Sequence, residues 1–257
     1  MNLHSTKGIP YNAIESLLQY VQYPTRAVHI TKIPFGQKVE TMLKFLSINL
    51  IVQIVLSSIT TFILFSVDSQ LGSTTTNELT DFVQSNSYVY ILLIGGIALP
   101  FFEEIGFRLP LFFHPVSLGI ALSYILILSF SVFFQQTPSN PFFTLLMIGI
   151  SLFIGGIGIF VFYHKRASIE LFWEKHFRWI YYGFAILFGL LHISNFSSAS
   201  LWVFCLTPLL VLPQFLSGLV IGYIRMQFGF FWGFTFHAVW NSALLSLAYA
   251  AYHFLML

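Results

Sequence analysis

Charge is what this sequence most lacks. Only 8% of its 257 residues are Asp, Glu, Lys or Arg, against about a quarter in an ordinary soluble domain. So few charges cannot cover the surface of a water-soluble globule of this length. The net charge of +2 offers no strongly basic surface, and no nucleic-acid partner is expected. A single cysteine, Cys205, excludes an internal disulfide and any metal site built on several thiolates. Met1 to Pro10 contains no apolar stretch of the kind a secretory leader needs, so no cleavable signal peptide is expected there.

The remaining composition is apolar, and it is distributed in blocks. Hydrophobic runs occupy 41–66, 88–113, 117–134, 142–163, 178–192, 200–224 and 230–255, with most of the charge between them. A helix rising 1.5 Å per residue needs about 20 residues to cross the hydrocarbon core. The pattern therefore predicts an all-α, polytopic membrane helical bundle of about seven transmembrane segments, within a range of six to eight. The range reflects three irregular runs. The run at 178–192 is short, that at 200–224 carries Pro208 and Pro213, and that at 88–113 is interrupted by Pro100 and Pro110.

Residues 1–40 form a mixed N-terminal segment ahead of a single membrane-embedded domain, 41–257. Ile14, Leu17, Leu18 and Val21 recur at helical spacing after Asn12, and Pro24 closes the pattern; this predicts a short helix on the membrane surface. With seven spans and the N-terminus inside, Lys7, Arg26, Lys32, Lys38, Lys44, Lys165, Arg166, Lys175, Arg178 and Arg225 all fall on the inner side. The loop at 67–87 carries Asp68, Glu78 and Asp81 without Lys or Arg, which suits the outside.

Arg108 is left over, because it lies within an apolar run together with Glu103 and Glu104. An ionisable side chain at mid-membrane costs roughly 2.5–3.5 kcal/mol on insertion scales, so its presence calls for a reason. Neighbouring glutamates on a helix diverge by about 100°. Glu104 and Arg108, four residues apart, share a face and can pair, which points Glu103 elsewhere. His192 ends another run, and His237 and Asn241 share one face of the last. Each of these groups on its own is compatible with packing between helices.

Taken together they are what amide hydrolysis requires. A carboxylate can take a proton from water, a histidine can share that work, and a second histidine with an amide can donate to a developing oxyanion. Two histidines and a glutamate are equally a common catalytic set for a divalent metal such as zinc; Glu103, His192 and His237 would then be its ligands. The residues are compatible with both uses.

The motifs Glu103-Glu104-x-x-x-Arg108, Phe188-x-x-x-His192 and His237-x-x-x-Asn241, in this order and each in an apolar run, resemble those of the CAAX-protease and bacteriocin-processing family. The segment with Gly218, Gly222, Arg225, Gly229 and Trp232 is also similar, and Gly218 with Gly222 is a small-xxx-small pair that permits close helix approach. The likeness covers about 88–245; Leu109 departs from it, standing where a glycine often follows the arginine. The resemblance implies an intramembrane endopeptidase acting on a membrane-anchored or hydrophobic peptide or protein substrate. It implies Glu103 as the group activating water, His192 assisting, His237 and Asn241 stabilising the oxyanion, and Glu104 and Arg108 positioning the site. The expected location is a membrane, the plasma membrane in a prokaryotic cell.

Other intramembrane proteases fit less well. Phe215 stands where a Gly-x-Ser-Gly motif needs glycine, His-Glu-x-x-His is absent, and no aspartate lies in an apolar run. Two non-proteolytic readings stay open: a scaffold or bacteriocin-immunity protein that does not need Glu103, and a transporter using it as a proton relay. A common site requires His192 and His237 at one depth, whereas the seven-span layout puts them toward opposite ends of their helices. Such a site would bring Glu103 and His192 within about 5 Å. It would place His237 and Asn241 on the opposite wall and turn Glu104 toward Arg108.

Overall fold

A computed structural model describes residues 12–26, 33–67, 77–133, 141–195 and 201–255. Lys7, Lys32 and Asp68, which enter the sorting of charge, lie outside the described residues. Among those described, regular structure is helical and no strand occurs. The helices are α1 (Ala13–Gln22), α2 (Phe35–Val67), α3 (Asn77–Ser85), α4 (Tyr88–Ile91), α5 (Leu99–Phe107), α6 (Pro115–Phe133), α7 (Pro141–His164), α8 (Arg166–Lys175), α9 (Phe177–Leu191), α10 (Leu201–Leu210), α11 (Leu212–Phe228) and α12 (Phe230–Leu255).

Among the described residues, four stretches are long and apolar enough to cross a membrane: Phe35–Val67, Tyr88–Leu111, Pro141–His164 and Phe204–Phe228. Their outward residues are apolar, as at Phe62 and Phe153, which a lipid solvent tolerates and water does not. Pro115–Ser131 and Phe177–Leu191 are apolar but shorter. α12 is long enough at 26 residues, but His237 and Asn241 dilute its apolar character. The loop expected at 67–87 contains a helix, α3, and the polar stretch before α9 forms α8.

Proline accounts for the irregular stretches. A π-helical segment, Leu92–Ala98, joins α4 to α5, and the Leu99 N–H reaches Ile94 O, five residues back. Continued by one residue, that register assigns the Gly95 carbonyl to the N–H of residue 100, and Pro100 has none. Pro110 sits in a single 3-10 turn, Leu109–Leu111, after Arg108. Pro208 lies inside α10, and Pro213 opens α11 after a break at Val211.

Small residues and buried polar groups bring the helices together. A Cβ on Gly155 of α7 would lie 2.8 Å from the Gly119 carbonyl of α6 and would also collide with Ser123. α2 is fastened to α11 by Gln53 Nε2, which donates to Pro213 O and to Ser217 Oγ, both at 2.8 Å; Ser217 Oγ donates in turn to Asn49 Oδ1 at 3.0 Å.

Asn12 caps α1 as its sequence suggests, accepting from the N–H groups of Ile14 and Glu15. α1 is not simply spread on a surface, however. Ala13 and Tyr20 are buried and Leu17 and Val21 pack against the main core, while Ile14 and Leu18 stay exposed. Tyr20 Oη donates to Thr25 O at 3.0 Å, and burial raises its pKa above the ordinary tyrosine value. Tyr223 Oη donates to Ser16 Oγ at 2.8 Å, and Tyr182 Oη donates to Val21 O. The helix is thereby docked on α9 and α11.

Candidate active site

Three elements supply the site. α5 carries Glu103 and Glu104 and ends at Arg108, α9 carries Phe188 and ends at His192, and α12 carries His237 and Asn241. Gly95 and Gly96 in the π-helical segment allow α12 close: added Cβ atoms would meet Leu245 Cδ1 at 2.8 Å and Ser242 Cα at 3.4 Å.

His237 is the centre of the cluster and is 3% exposed. Its Nδ1 lies 2.9 Å from Glu104 Oε1, and its Nε2 lies 3.3 Å from Glu103 Oε2 without the alignment of a hydrogen bond. A carboxylate only accepts. Nδ1–H therefore donates to Glu104 Oε1, and Nε2 faces Glu103.

The two carboxylates differ in setting. The Glu104 side chain is fully buried, with Arg108 Nε 3.6 Å from Oε1. Its Oε2 has no hydrogen-bond partner and sits 3.5 Å from the point a Cβ on Gly233 would occupy, an ordinary van der Waals distance. The Glu103 side chain is 21% exposed. Glu104 therefore turns toward both Arg108 and His237, with the histidine closer, rather than toward Arg108 alone. Glu103 points toward the same histidine from its other side.

Arg108 is 1% exposed, and neither Nη1 nor Nη2 has a hydrogen-bond partner. Its guanidinium carbon lies 3.9 Å from the centroid of the Phe188 ring. The ring face supplies the attraction that water would otherwise provide.

His192 caps α9, with Nδ1 2.8 Å from Phe188 O. A carbonyl only accepts, so Nδ1 carries the proton and Nε2 is left for a second partner. The rings of His192 and His237 lie 4.8 and 5.7 Å from that of Phe188. Both histidines thus stand at one depth. α9 is short: its 15 residues span only about 22 Å at 1.5 Å each, less than a hydrocarbon core of about 30 Å, so a helix of this length that starts at one surface ends within that thickness.

Asn241 Nδ2 donates to Gly95 O at 3.5 Å, the limit of a hydrogen bond. It thereby serves the carbonyl that Pro100 deprives of a donor, and one amide N–H remains for another acceptor. Sequence reasoning assigned no role to Phe188; the available signal was an aromatic ring four residues before His192, hence on the same helix face.

The donors a divalent metal would use here are Nε2 of His192, Nε2 of His237 and Glu103 Oε2, since each histidine's Nδ1 is held, by Phe188 O and by Glu104 Oε1, and Glu103 Oε2 lies 3.3 Å from His237 Nε2 without a hydrogen bond. Among the described residues no group of three or more His, Cys, Asp or Glu stands close enough to hold a metal ion.

Comparison with family models, with curated proteins and with solved structures gives no match for this chain.

Proposed function

We propose that this chain is a multi-pass intramembrane endopeptidase that hydrolyses a peptide bond of a membrane-anchored or hydrophobic peptide. The observation that carries the reading is the asymmetry of the two carboxylates about His237. Glu104 is sealed beside Arg108, whereas Glu103 keeps an accessible edge. Glu103 takes a proton from water, and His237, braced by Glu104, shares that proton. Nε2 of His192 orients the attacking water. The free N–H of Asn241 donates to the oxyanion as the carbonyl carbon becomes tetrahedral. The proton then passes to the leaving amine. The likeness of the three ordered motifs to the CAAX-protease and bacteriocin-processing family supports Glu103 as the group activating water and Asn241 as an oxyanion donor, while for His237 it implies an oxyanion donor as well and for His192 a share in the base's work. With it go a bundle of about seven spans and, in a prokaryotic cell, the plasma membrane.

The test is incubation of the protein in proteoliposomes with a set of quenched apolar peptides, with and without a chelator. Cleavage that disappears in Glu103→Gln supports the proposal. Cleavage equal in wild type and Glu103→Gln contradicts it. No cleavage, together with proton flux dependent on Glu103, would favour a transporter instead.

A further inference from the structure

A second built feature lies away from the candidate site, at the end of α7 and α9. α8 is joined to α7 by Lys165 and to α9 by His176, so it sits where two apolar helices terminate. Its inner face is Ile169 and Trp173, the latter buried with its ring 5.9 Å from that of Phe113. Its outer face carries Leu171 and Phe172, 67% and 53% exposed, with exposed Lys175 a turn beyond Leu171.

The flank of α8 carries two glutamates, and a distant residue takes both. Arg26 places Nη2 3.0 Å from Glu170 Oε1 and Nη1 3.0 Å from Glu174 Oε1. This clamp offsets one of the two negative charges of the only acidic side chains on the helix, and Arg166, 3.8 Å from Glu170 Oε2, faces the same pair. Among the described residues, Lys165, Lys175 and Arg178 have no carboxylate within ion-pair distance. Beside Arg178 stands Trp179, 72% exposed.

We infer that α8 and its flanks dock onto the headgroups of an anionic lipid leaflet. Cations with exposed aliphatic and aromatic side chains, on a helix continuous with the ends of apolar helices, match a charged bilayer surface. Phe172, Leu171 and Trp179 enter the interface while Lys165, Lys175 and Arg178 meet the phosphates. Arg26 has a part in this, since without it two carboxylates would face the same headgroups. A soluble acidic partner would leave the apolar side chains uncovered, and for that reason the lipid is favoured.

The experiment compares thermal unfolding of the full chain in nanodiscs of phosphatidylcholine alone and with phosphatidylglycerol. The anionic lipid is expected to raise the melting temperature by several degrees. High salt should abolish this gain, and so should the triple variant Lys165→Gln, Lys175→Gln, Arg178→Gln. The gain should survive in Lys165→Arg, Lys175→Arg, Arg178→Lys. Each cation removed should weaken retention of phosphatidylglycerol by about fivefold. Equal melting temperatures in both lipids, or a gain undiminished in the glutamine variant, would overturn the inference. The same gain from a soluble acidic peptide added to phosphatidylcholine discs would also overturn it. If the glutamine variant does not fold, the salt titration of the wild-type gain decides alone.

Discussion

His237 stands between two carboxylates that are adjacent in sequence, 2.9 Å from Glu104 through Nδ1 and 3.3 Å from Glu103 through Nε2. Neighbouring helical residues ordinarily diverge, and a long ring with nitrogens on both sides is what bridges them. The bridge ties α5 to α12 and gives the glutamates different surroundings: Glu104 is enclosed, while Glu103 reaches an accessible edge.

Removing the positive member of the buried pair should unfold the site. Arg108→Ala strands Glu104, whose side chain is fully buried, at a cost of about 3–5 kcal/mol. A clearly lowered melting temperature or poor expression is expected. The double variant Glu104→Gln, Arg108→Met should recover much of the loss, because it leaves no isolated charge. A single Arg108→Ala variant as stable as wild type would place the arginine outside the structural framework.

Phe188 is expected to matter more through its ring than through its bulk. Phe188→Leu keeps most of the apolar volume but removes the face that lies 3.9 Å from the Arg108 guanidinium, a loss of about 1–2 kcal/mol. Phe188→Tyr, which keeps the ring, should be closer to wild type in thermal unfolding. Equal stability of the leucine and wild-type proteins would show that the cation–ring contact contributes little.

Much of the architecture is legible in the sequence because burial in lipid leaves a coarse, local trace. The apolar runs are helical where described, those at 88–113 and 200–224 in more than one piece; Asn12 caps α1, and Pro100, Pro110, Pro208 and Pro213 mark the irregular places. The helices α3 and α8 are obscured because a short helix resembles a polar loop when only apolar length is read. The four spans that length and composition support are fewer than the seven runs because α9 and the Pro115–Ser131 stretch of α6 are short and α12 carries polar side chains. Within the site, the Glu104–Arg108 pairing follows from helical spacing. The approach of His237 to both glutamates does not, since it depends on how closely α12 packs against Gly95 and Gly96 of the π-helical segment. Nor is the Arg26 clamp visible, because its partners lie 144 and 148 residues away.

The α6–α7 contact should be sensitive to a single methyl group. Gly155→Ala would put a Cβ 2.8 Å from the Gly119 backbone carbonyl, an atom that cannot rotate away. Overpacking of this kind costs about 1–3 kcal/mol. Gly156→Ala is the control, since nothing lies within 4 Å of its added Cβ. Thermal unfolding should fall for the first and not for the second; equal behaviour would mean that the two helices separate readily.

With Glu103 acting directly on water, as proposed, chelation should leave peptidase activity within twofold of the untreated rate. Activity lost on dialysis against chelator and restored by zinc would instead assign Glu103 Oε2 and the Nε2 atoms of His192 and His237 to a metal, with Nδ1 of His237 still on Glu104.

The division of labour between the adjacent glutamates is best tested by measuring turnover and melting temperature side by side for Glu103→Gln and Glu104→Gln. Both replacements keep side-chain size and remove the charge. Glu103→Gln should unfold near the wild-type temperature and lose about 10²-fold or more of turnover, as expected for removal of a general base. Glu104→Gln should show a lowered melting temperature, because its neutral side chain no longer balances the buried Arg108. Wild-type turnover in Glu103→Gln, or an equal loss of stability in both variants, would contradict the assignment of Glu103 as the reactive carboxylate.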